Sequence, residues 1–215
     1  ESVKDGDMLA ELLIGVTRAS EATKVRIAAL DTAAHRDPLT GLLNRRGFYQ
    51  TVENLLLRGE RSDSSWVLLY LDLDGFKRVN DSLGHDAGDR VLRWVSEQLK
   101  ACLRPFDILA RMGGDEFTAL LDLEFPEQAA KIAEKLIERV SICQQIEGLD
   151  IALGASIGIA TYPDCGSNLD GLLRASDIAM YEAKRAGRAR WVLFDDSMHE
   201  RVVRVLEVES DLRRA

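Results

Sequence analysis

The sequence predicts an α/β (α+β) domain in which one central, mixed, five-stranded sheet is covered by helices. Three observations carry that reading. Apolar runs of strand length alternate with segments whose apolar residues recur at helical spacing. A hairpin signal, Gly113-Gly114 between two β-type runs, is embedded in that alternation. Apolar residues make up 46% and charged residues 30%, an ordinary globular composition able to offset the entropy of ordering the chain.

The elements follow in order. Leu9, Leu13, Val16, Ser20, Thr23, Ile27, Leu30 and Ala34 recur at alternating spacings of four and three, which predicts a helix over 1–36. That seam suits either a parallel two-helix signalling stalk, weakened at Ser20 and Thr23, or a helix packed on its own domain. Asp37-Pro38 is read as the opening of the next helix, with Asp as cap and Pro in the first turn, running through Phe48, Val52, Leu55 and Leu56. Residues 66–73 are apolar almost throughout and read as a central strand. A helix carries Val91, Leu92, Val95 and Leu99, and residues 108–112 and 117–121 form the hairpin. Pro126-Glu127 opens a helix with Ala129, Ile132, Ala133, Leu136 and Val140 on one face. Ile151, Leu153, Ala155, Ile157 and Ile159 alternate with small residues, so that strand has one face a helix can approach closely. Asn168 caps a last helix through Leu172, Leu173, Ala179 and Ala183, ended by Gly187, and 191–194 form a short final strand. The domain therefore spans 37–196. Residues 197–215, with Val202, Val205, Leu206 and Leu212, read as a linker helix.

Charge and composition exclude several function classes. With 36 acidic against 28 basic residues the net charge is −8, which argues against a nucleic-acid coat. It leaves room for a phosphorylated substrate, because cations held by carboxylates can supply positive charge. The longest unbroken apolar run, Trp66 through Leu71, is far short of the roughly 20 residues of a membrane helix. No signal-peptide pattern is present. The chain opens on Glu1 rather than Met, which reads as a fragment excised from a longer protein that can itself carry membrane segments. Cys102, Cys143 and Cys165 are an odd, scattered set, and His35, His85 and His199 are far apart. A disulfide framework and a zinc or His-rich metal site are therefore not expected, and a reducing compartment is.

Four groups of residues can carry chemistry. Asp72-Leu73-Asp74 ends the central strand, where period two puts both carboxylates on one face as oxygen ligands suited to Mg²⁺, or simply as solvated acids. Asp115-Glu116 follow the Gly-Gly turn, placing two more acids on its tip, either to complete a two-metal cluster for phosphoryl or nucleotidyl transfer or simply as solvated acids on a turn. Asn80 to Asp89 reads as a polar loop entering a helix; Asn80 and Asp89 suit a guanine edge, or act as caps. Lys184 and Arg188, four apart near the end of the last helix, can clamp a triphosphate or complement the helix dipole.

Together these residues resemble the GGDEF family of bacterial diguanylate cyclases, from about Asp37 to Phe194. The match includes Asp37-Pro38-Leu39-Thr40-Gly41-Leu42-Leu43-Asn44-Arg45, Asp72-Leu73-Asp74-Gly75-Phe76-Lys77 and Asn80-Asp81 with Gly84-His85 and Gly88-Asp89. It continues through Gly113-Gly114-Asp115-Glu116-Phe117, Ser156-Ile157-Gly158-Ile159-Ala160, and Ala183-Lys184 to Gly187-Arg188. The resemblance implies a fold like the palm of nucleotidyl cyclases and polymerases, and the condensation of two GTP into cyclic di-GMP and two pyrophosphates across a head-to-head homodimer. It implies Mg²⁺ or Mn²⁺, two per site, held by Asp72, the Leu73 carbonyl, Asp115 and Glu116. It further implies that Asp115 is the base, that Glu116 supports the metals and that Lys77 steadies the transition state. Phe76, Asn80, His85 and Asp89 are implied to contact substrate, and Lys184 and Arg188 its phosphates. The hydrogen bonding of Asp89 suits guanine better than adenine.

Arg104-Pro105-Phe106-Asp107 ends five residues before Gly113 and matches the family's Arg-x-x-Asp inhibitory site, so cyclic di-GMP is implied as inhibitor as well as product. Read without the resemblance, it is an ion pair across one turn. Ala189 departs from the Asn the family often carries there. The tail resembles the linker to an EAL phosphodiesterase domain, which implies a cytoplasmic module between an upstream sensor and a downstream EAL domain. The same resemblance leaves open a GTP-binding regulatory module for that phosphodiesterase, or a dimerising signalling module without catalysis.

Overall fold

A computed structural model of the chain describes residues 33–59, 66–123, 125, 127–142, 144–146, 149–166 and 168–198. The predicted stalk, apart from 33–36, and the linker helix, apart from 197 and 198, lie outside the described residues. Helix α1 is Arg45–Gly59, strand β1 Trp66–Asp74, α2 Phe76–Leu83 and α3 His85–Cys102. The hairpin is β2 Ile108–Gly113 and β3 Glu116–Asp122, followed by α4 Gln128–Val140. Then come β4 Gln144–Ile146, β5 Leu149–Ile151, β6 Gly154–Tyr162, α5 Leu169–Arg185 and β7 Trp191–Leu193.

The main sheet has five strands in the order β2-β3-β1-β6-β7, antiparallel except for the parallel β6–β7 pair, so the mixed sheet is as predicted. β1 is its middle strand, and its apolar run follows from burial on both faces. On one face Leu68, Leu120 and Ala160 meet Phe48 and Val52 of α1 and Leu172 and Leu173 of α5. On the other, Leu69, Leu71, Phe117 and Ile157 meet Val91 and Val95 of α3 and Ala133 and Leu136 of α4. Gly158 shows how closely α5 lies on the sheet: a Cβ there would collide with the Ser176 carbonyl and the Met180 amide. Asn168 caps α5 as expected, accepting from the Gly171 N–H at 2.8 Å.

Three local expectations are corrected. Asp37-Pro38 does not open α1. The Asp37 carboxylate accepts from Thr40 N–H at 2.9 Å and Thr40 Oγ1 at 2.6 Å, closing a turn whose Gly41 has φ 69°. The helix is capped instead by Asn44, whose Oδ1 accepts from Gly47 N–H at 2.9 Å. Residues 80–83 are not loop but the second half of α2, which starts after left-handed Gly75 (φ 85°) and stops at Gly84 (φ 80°). Ile151 is not in the strand of Ile157, because β6 begins at Gly154 and Ile151 belongs to a separate two-stranded ribbon, β4–β5.

Candidate active site

Register explains how the acids meet. β1 and β3 run antiparallel with Asp72 directly opposite Glu116, and the Leu73 N–H donates to the Asp115 carbonyl at 3.3 Å. Only Asp115 lies in the turn; Glu116 is the first residue of β3, which corrects its placement on the tip. Asp72 and Asp74 share the α5 side of the sheet, while Leu73 is buried on the other. The two aspartates have different employment. Asp74 accepts Ser156 Oγ at 2.9 and 3.0 Å and the Ala189 N–H at 3.0 Å, so it is committed to holding β6 and the segment after α5. Among the described residues Asp72 pairs with Lys184 Nζ at 2.7 Å.

Lys184 and Arg188 do not share a helix face. α5 ends at Arg185, Gly187 has φ 116°, and Arg188 and Ala189 are both left-handed at 62° and 47°. The turn nonetheless brings Arg188 Nε to 3.9 Å from Asp74 Oδ1, so both cations reach the same cluster of acids. The Ala189 conformation favours Gly or Asn, which makes its departure from the usual Asn a local strain.

Electrostatics mark the acids as crowded. Burial raises the Asp115 carboxyl above its ordinary range, and the neighbouring Asp72 charge adds to that, against Lys184 and Arg111. Asp177, about two turns before Lys184 on α5, is raised by loss of hydration and by Asp72, with Lys184 opposing. Tyr70, two residues before Asp72 on β1, donates its hydroxyl to Glu116 Oε2 at 3.1 Å. Burial and that carboxylate hold the phenol protonated well above its usual range. Sequence reasoning missed Tyr70 and Asp177. Tyr70 was part of an apolar run and Asp177 of a helix; only the period-two relation of Tyr70 to Asp72 could have drawn attention to it.

The Gly-Gly turn is anchored from outside. Arg111 Nε and Nη2 donate to the Gly114 carbonyl at 2.9 and 2.7 Å, and its Nη1 to Asp37 at 3.1 and 3.2 Å.

α2 and α3 form a helical hairpin beside this end of the sheet. Phe76 is buried at its base, and Lys77 is exposed in the first turn. Gly88 is where the helices touch, since a Cβ there would overlap Asn80 Oδ1 and come within 3.2 Å of Phe76 Cζ. Asn80 thus lies against α3 next to Asp89, whose carboxylate is 3.9 Å from Arg93; exposed His85 starts α3. The structure therefore packs Asn80 against Gly88, the residue before Asp89, on the hairpin, and brings Asp72, Asp115, Glu116 and Lys184 together at the sheet.

Arg104 and Asp107 sit apart, in the turn between α3 and β2. Asp107 Oδ2 accepts the Arg104 main-chain N–H at 2.7 Å, while its Oδ1 is buried without a hydrogen-bond partner among the described residues. The Arg104 guanidinium lies 5.7 Å from the ring of Phe106, which is 64% exposed, rather than bridging Asp107. A groove of about 530 Å³ runs past Arg36, Lys100, Arg104 and Asp107.

The family model described as diguanylate cyclase, GGDEF domain, matches residues 34–190. The chain belongs to the GGDEF family. Among curated relatives, the bifunctional diguanylate cyclase/cyclic di-GMP phosphodiesterase MucR of Pseudomonas aeruginosa is 39% identical over 214 residues, covering 100% of this chain and 31% of MucR. The chain thus spans about a third of that relative's length. Among solved structures, the GGDEF domain of TpbB from Pseudomonas aeruginosa superposes with a TM-score of 0.75 at 35% identity, over 79% of this chain and 99% of that one. The coiled coil and GGDEF domain of DgcB from Caulobacter crescentus, in complex with c-di-GMP, gives a TM-score of 0.79 at 27% identity, over 86% and 98%. The fold of this GGDEF domain is therefore that of the sheet-and-helix architecture its sequence predicted.

Proposed function

We propose that this chain is a diguanylate cyclase domain that condenses two GTP molecules into cyclic di-GMP and two pyrophosphates. The observation that carries the reading is the meeting of Asp72, Asp115 and Glu116 at one end of the β1–β3 pair, with Lys184 drawn against Asp72. The donor set fits a divalent cation. Mg²⁺ takes one or two carboxylates and completes its shell with water and substrate phosphates, and Asp72, Asp115 and the Leu73 carbonyl are hard oxygen donors of that kind, with Glu116 in support. Among the described residues no three His, Cys, Asp or Glu side chains lie close enough to hold a metal ion by themselves, so water and substrate phosphates would have to supply the remaining ligands. Two ions per site, Mg²⁺ or Mn²⁺, supply charge neutralisation at the reacting phosphates when bound.

The chain's own residues do the rest. Lys184 leaves Asp72 for the triphosphate, with Arg188 as its second cation, and exposed Lys77 meets charge developing at the α-phosphate. Asn80 and Asp89 read the guanine edge, flanked by Phe76 and His85. Each 3′-oxygen bonds to the α-phosphorus of the other GTP as the bond to pyrophosphate breaks. The hydroxyl proton passes to Asp115, which lies in the turn immediately before β3. Two domains meet head to head, each presenting one GTP. Product binds at Arg104 and Asp107, along the groove that runs past Arg36 and Lys100, and restrains that encounter.

In the longer protein, residues 37–196 are the catalytic domain, 1–36 a stalk from a sensor and 197–215 a linker to an EAL domain, all on the cytoplasmic side. The two activities in MucR's name favour one second reading, a GTP-binding module that regulates such a phosphodiesterase. Purified protein with GTP and Mg²⁺ separates the two, assayed by mass spectrometry for cyclic di-GMP and by pyrophosphate release over a range of protein concentrations. Product formation that rises more steeply than protein concentration supports the cyclase; measurable GTP binding without product supports the regulatory module.

A further inference from the structure

Glu116 carries three rotatable side-chain bonds, and a carboxylate left to sample them is a poor support for a reaction that needs its charges in place beforehand. β1 supplies a partner for it. Tyr70 and Asp72 lie on the same face of β1, and the antiparallel register sets Asp72 opposite Glu116 and Tyr70 opposite Thr118. The Tyr70 ring therefore lies one step along the sheet from Glu116, and its hydroxyl reaches back to Glu116 Oε2 at 3.1 Å. On its other side Tyr70 is paired with Gly158 of β6, over which the α5 backbone lies directly. The ring itself packs with the α1–α5 core, so the hydroxyl is held by a rigid body rather than by a flexible arm.

We propose that Tyr70 is a positioning residue of this site: its hydroxyl fixes Glu116 by one carboxylate oxygen and so presents the other to the cation–nucleotide complex. A tyrosine is suited to this because its hydroxyl sits on a ring with only two side-chain torsions, at a distance from the strand that a serine or threonine cannot span. The inference rests on the cyclase reading for what the held carboxylate acts upon, but the contact itself does not. Tyr70 is not expected to touch substrate; it acts through Glu116.

The test uses Tyr70→Phe, which removes the hydroxyl and keeps the ring in the core, alongside Glu116→Gln and the double variant. With GTP and Mg²⁺, Tyr70→Phe lowers kcat about tenfold while KM for GTP moves less than about twofold. Mn²⁺ binding, followed by electron paramagnetic resonance in the presence of 3′-deoxy-GTP, weakens about fivefold, and the melting temperature stays within about 3 °C of the parent. The double variant matches Glu116→Gln alone in kcat and in Mn²⁺ affinity, because two changes on one contact do not add. Unchanged kcat and Mn²⁺ affinity in Tyr70→Phe, or losses that add in full to those of Glu116→Gln, overturn the assignment. If the parent chain makes no product, the cyclase reading fails by itself, and the Mn²⁺ titrations with 3′-deoxy-GTP still decide whether Tyr70 works through Glu116.

Discussion

Arg111 holds Asp37 across 74 residues of sequence, in an ion pair at 3.1 Å whose side chains are only 12% and 17% exposed. The same guanidinium binds the Gly114 carbonyl, so the turn that opens the domain and the turn that carries Asp115 are fastened to one group. Losing Asp37 leaves a largely buried cation without its carboxylate partner, a more damaging change than removing an exposed ion pair.

Asp37→Asn therefore destabilises the domain by about 2 kcal/mol at neutral pH, read by urea unfolding. Burial pushes the Asp37 carboxyl up, but the hydrogen bonds from Thr40 and Arg111 outweigh it and leave it below its ordinary value. A carboxyl lowered in the folded state contributes stability above its unfolded pKa and loses it as pH falls through the folded one. The difference between parent and variant is thus full at pH 7 and shrinks below about pH 4. A gap that stays constant into acid contradicts the pairing.

Asp115 behaves in the opposite sense. Its carboxyl is raised in the folded state, so its contribution is favourable below the unfolded pKa and is lost as pH rises through the folded one. Asp115→Asn removes a charge that burial and Asp72 oppose. We expect its melting temperature at pH 7 to rise by about 3 °C while cyclic di-GMP formation drops at least about a thousandfold. Calorimetry at pH 7 and near pH 4 checks the sign, since the gain disappears in acid.

Much of the fold and site is legible in sequence, for reasons that differ by element. The β1 run and its two aspartates are legible because burial on both faces leaves an apolar signature and period two fixes which side chains share a face. α2 is not, because Gly75 opens it without a side-chain cap, Gly84 stops it after eight residues, and Asn80, Asp81 and Ser82 in its second half are residues that favour turns. The placement of Arg188 fails because two consecutive left-handed residues, neither a glycine, bend the chain where the sequence continues a helical spacing. Arg111 and Tyr70 are invisible for another reason: their partners are set by sheet register and long-range packing, which no local spacing records.

Gly158 is legible as a small residue in an alternating strand, and the structure gives it a magnitude. In Gly158→Ala the new methyl meets α5 backbone rather than a side chain that can turn away, so α5 must lift from β1 and β6. A loss of at least about 3 kcal/mol is expected, visible as a lowered urea midpoint or as insoluble expression. Gly41→Ala is the contrasting case: no atom lies within 4 Å, but φ of 69° imposes about 1 kcal/mol of backbone strain.

At the distant turn, Arg104→Ala removes a guanidinium that lies over the Phe106 ring, while the Asp107 carboxylate is held by the Arg104 main chain. Its expected signature is an unchanged initial rate of pyrophosphate release with about tenfold weaker inhibition by added cyclic di-GMP. Equal inhibition in parent and variant would remove Arg104 from the product site.

β1 is hydrogen-bonded along both edges, to β3 and to β6, and covered on both faces. Its amides can meet solvent deuterium only when two ladders and both helical layers open together, so their exchange follows the slowest opening of the domain. Asp72 is rooted in that strand. The carboxylate proposed to receive the cation is thus carried by the last part of the molecule to loosen.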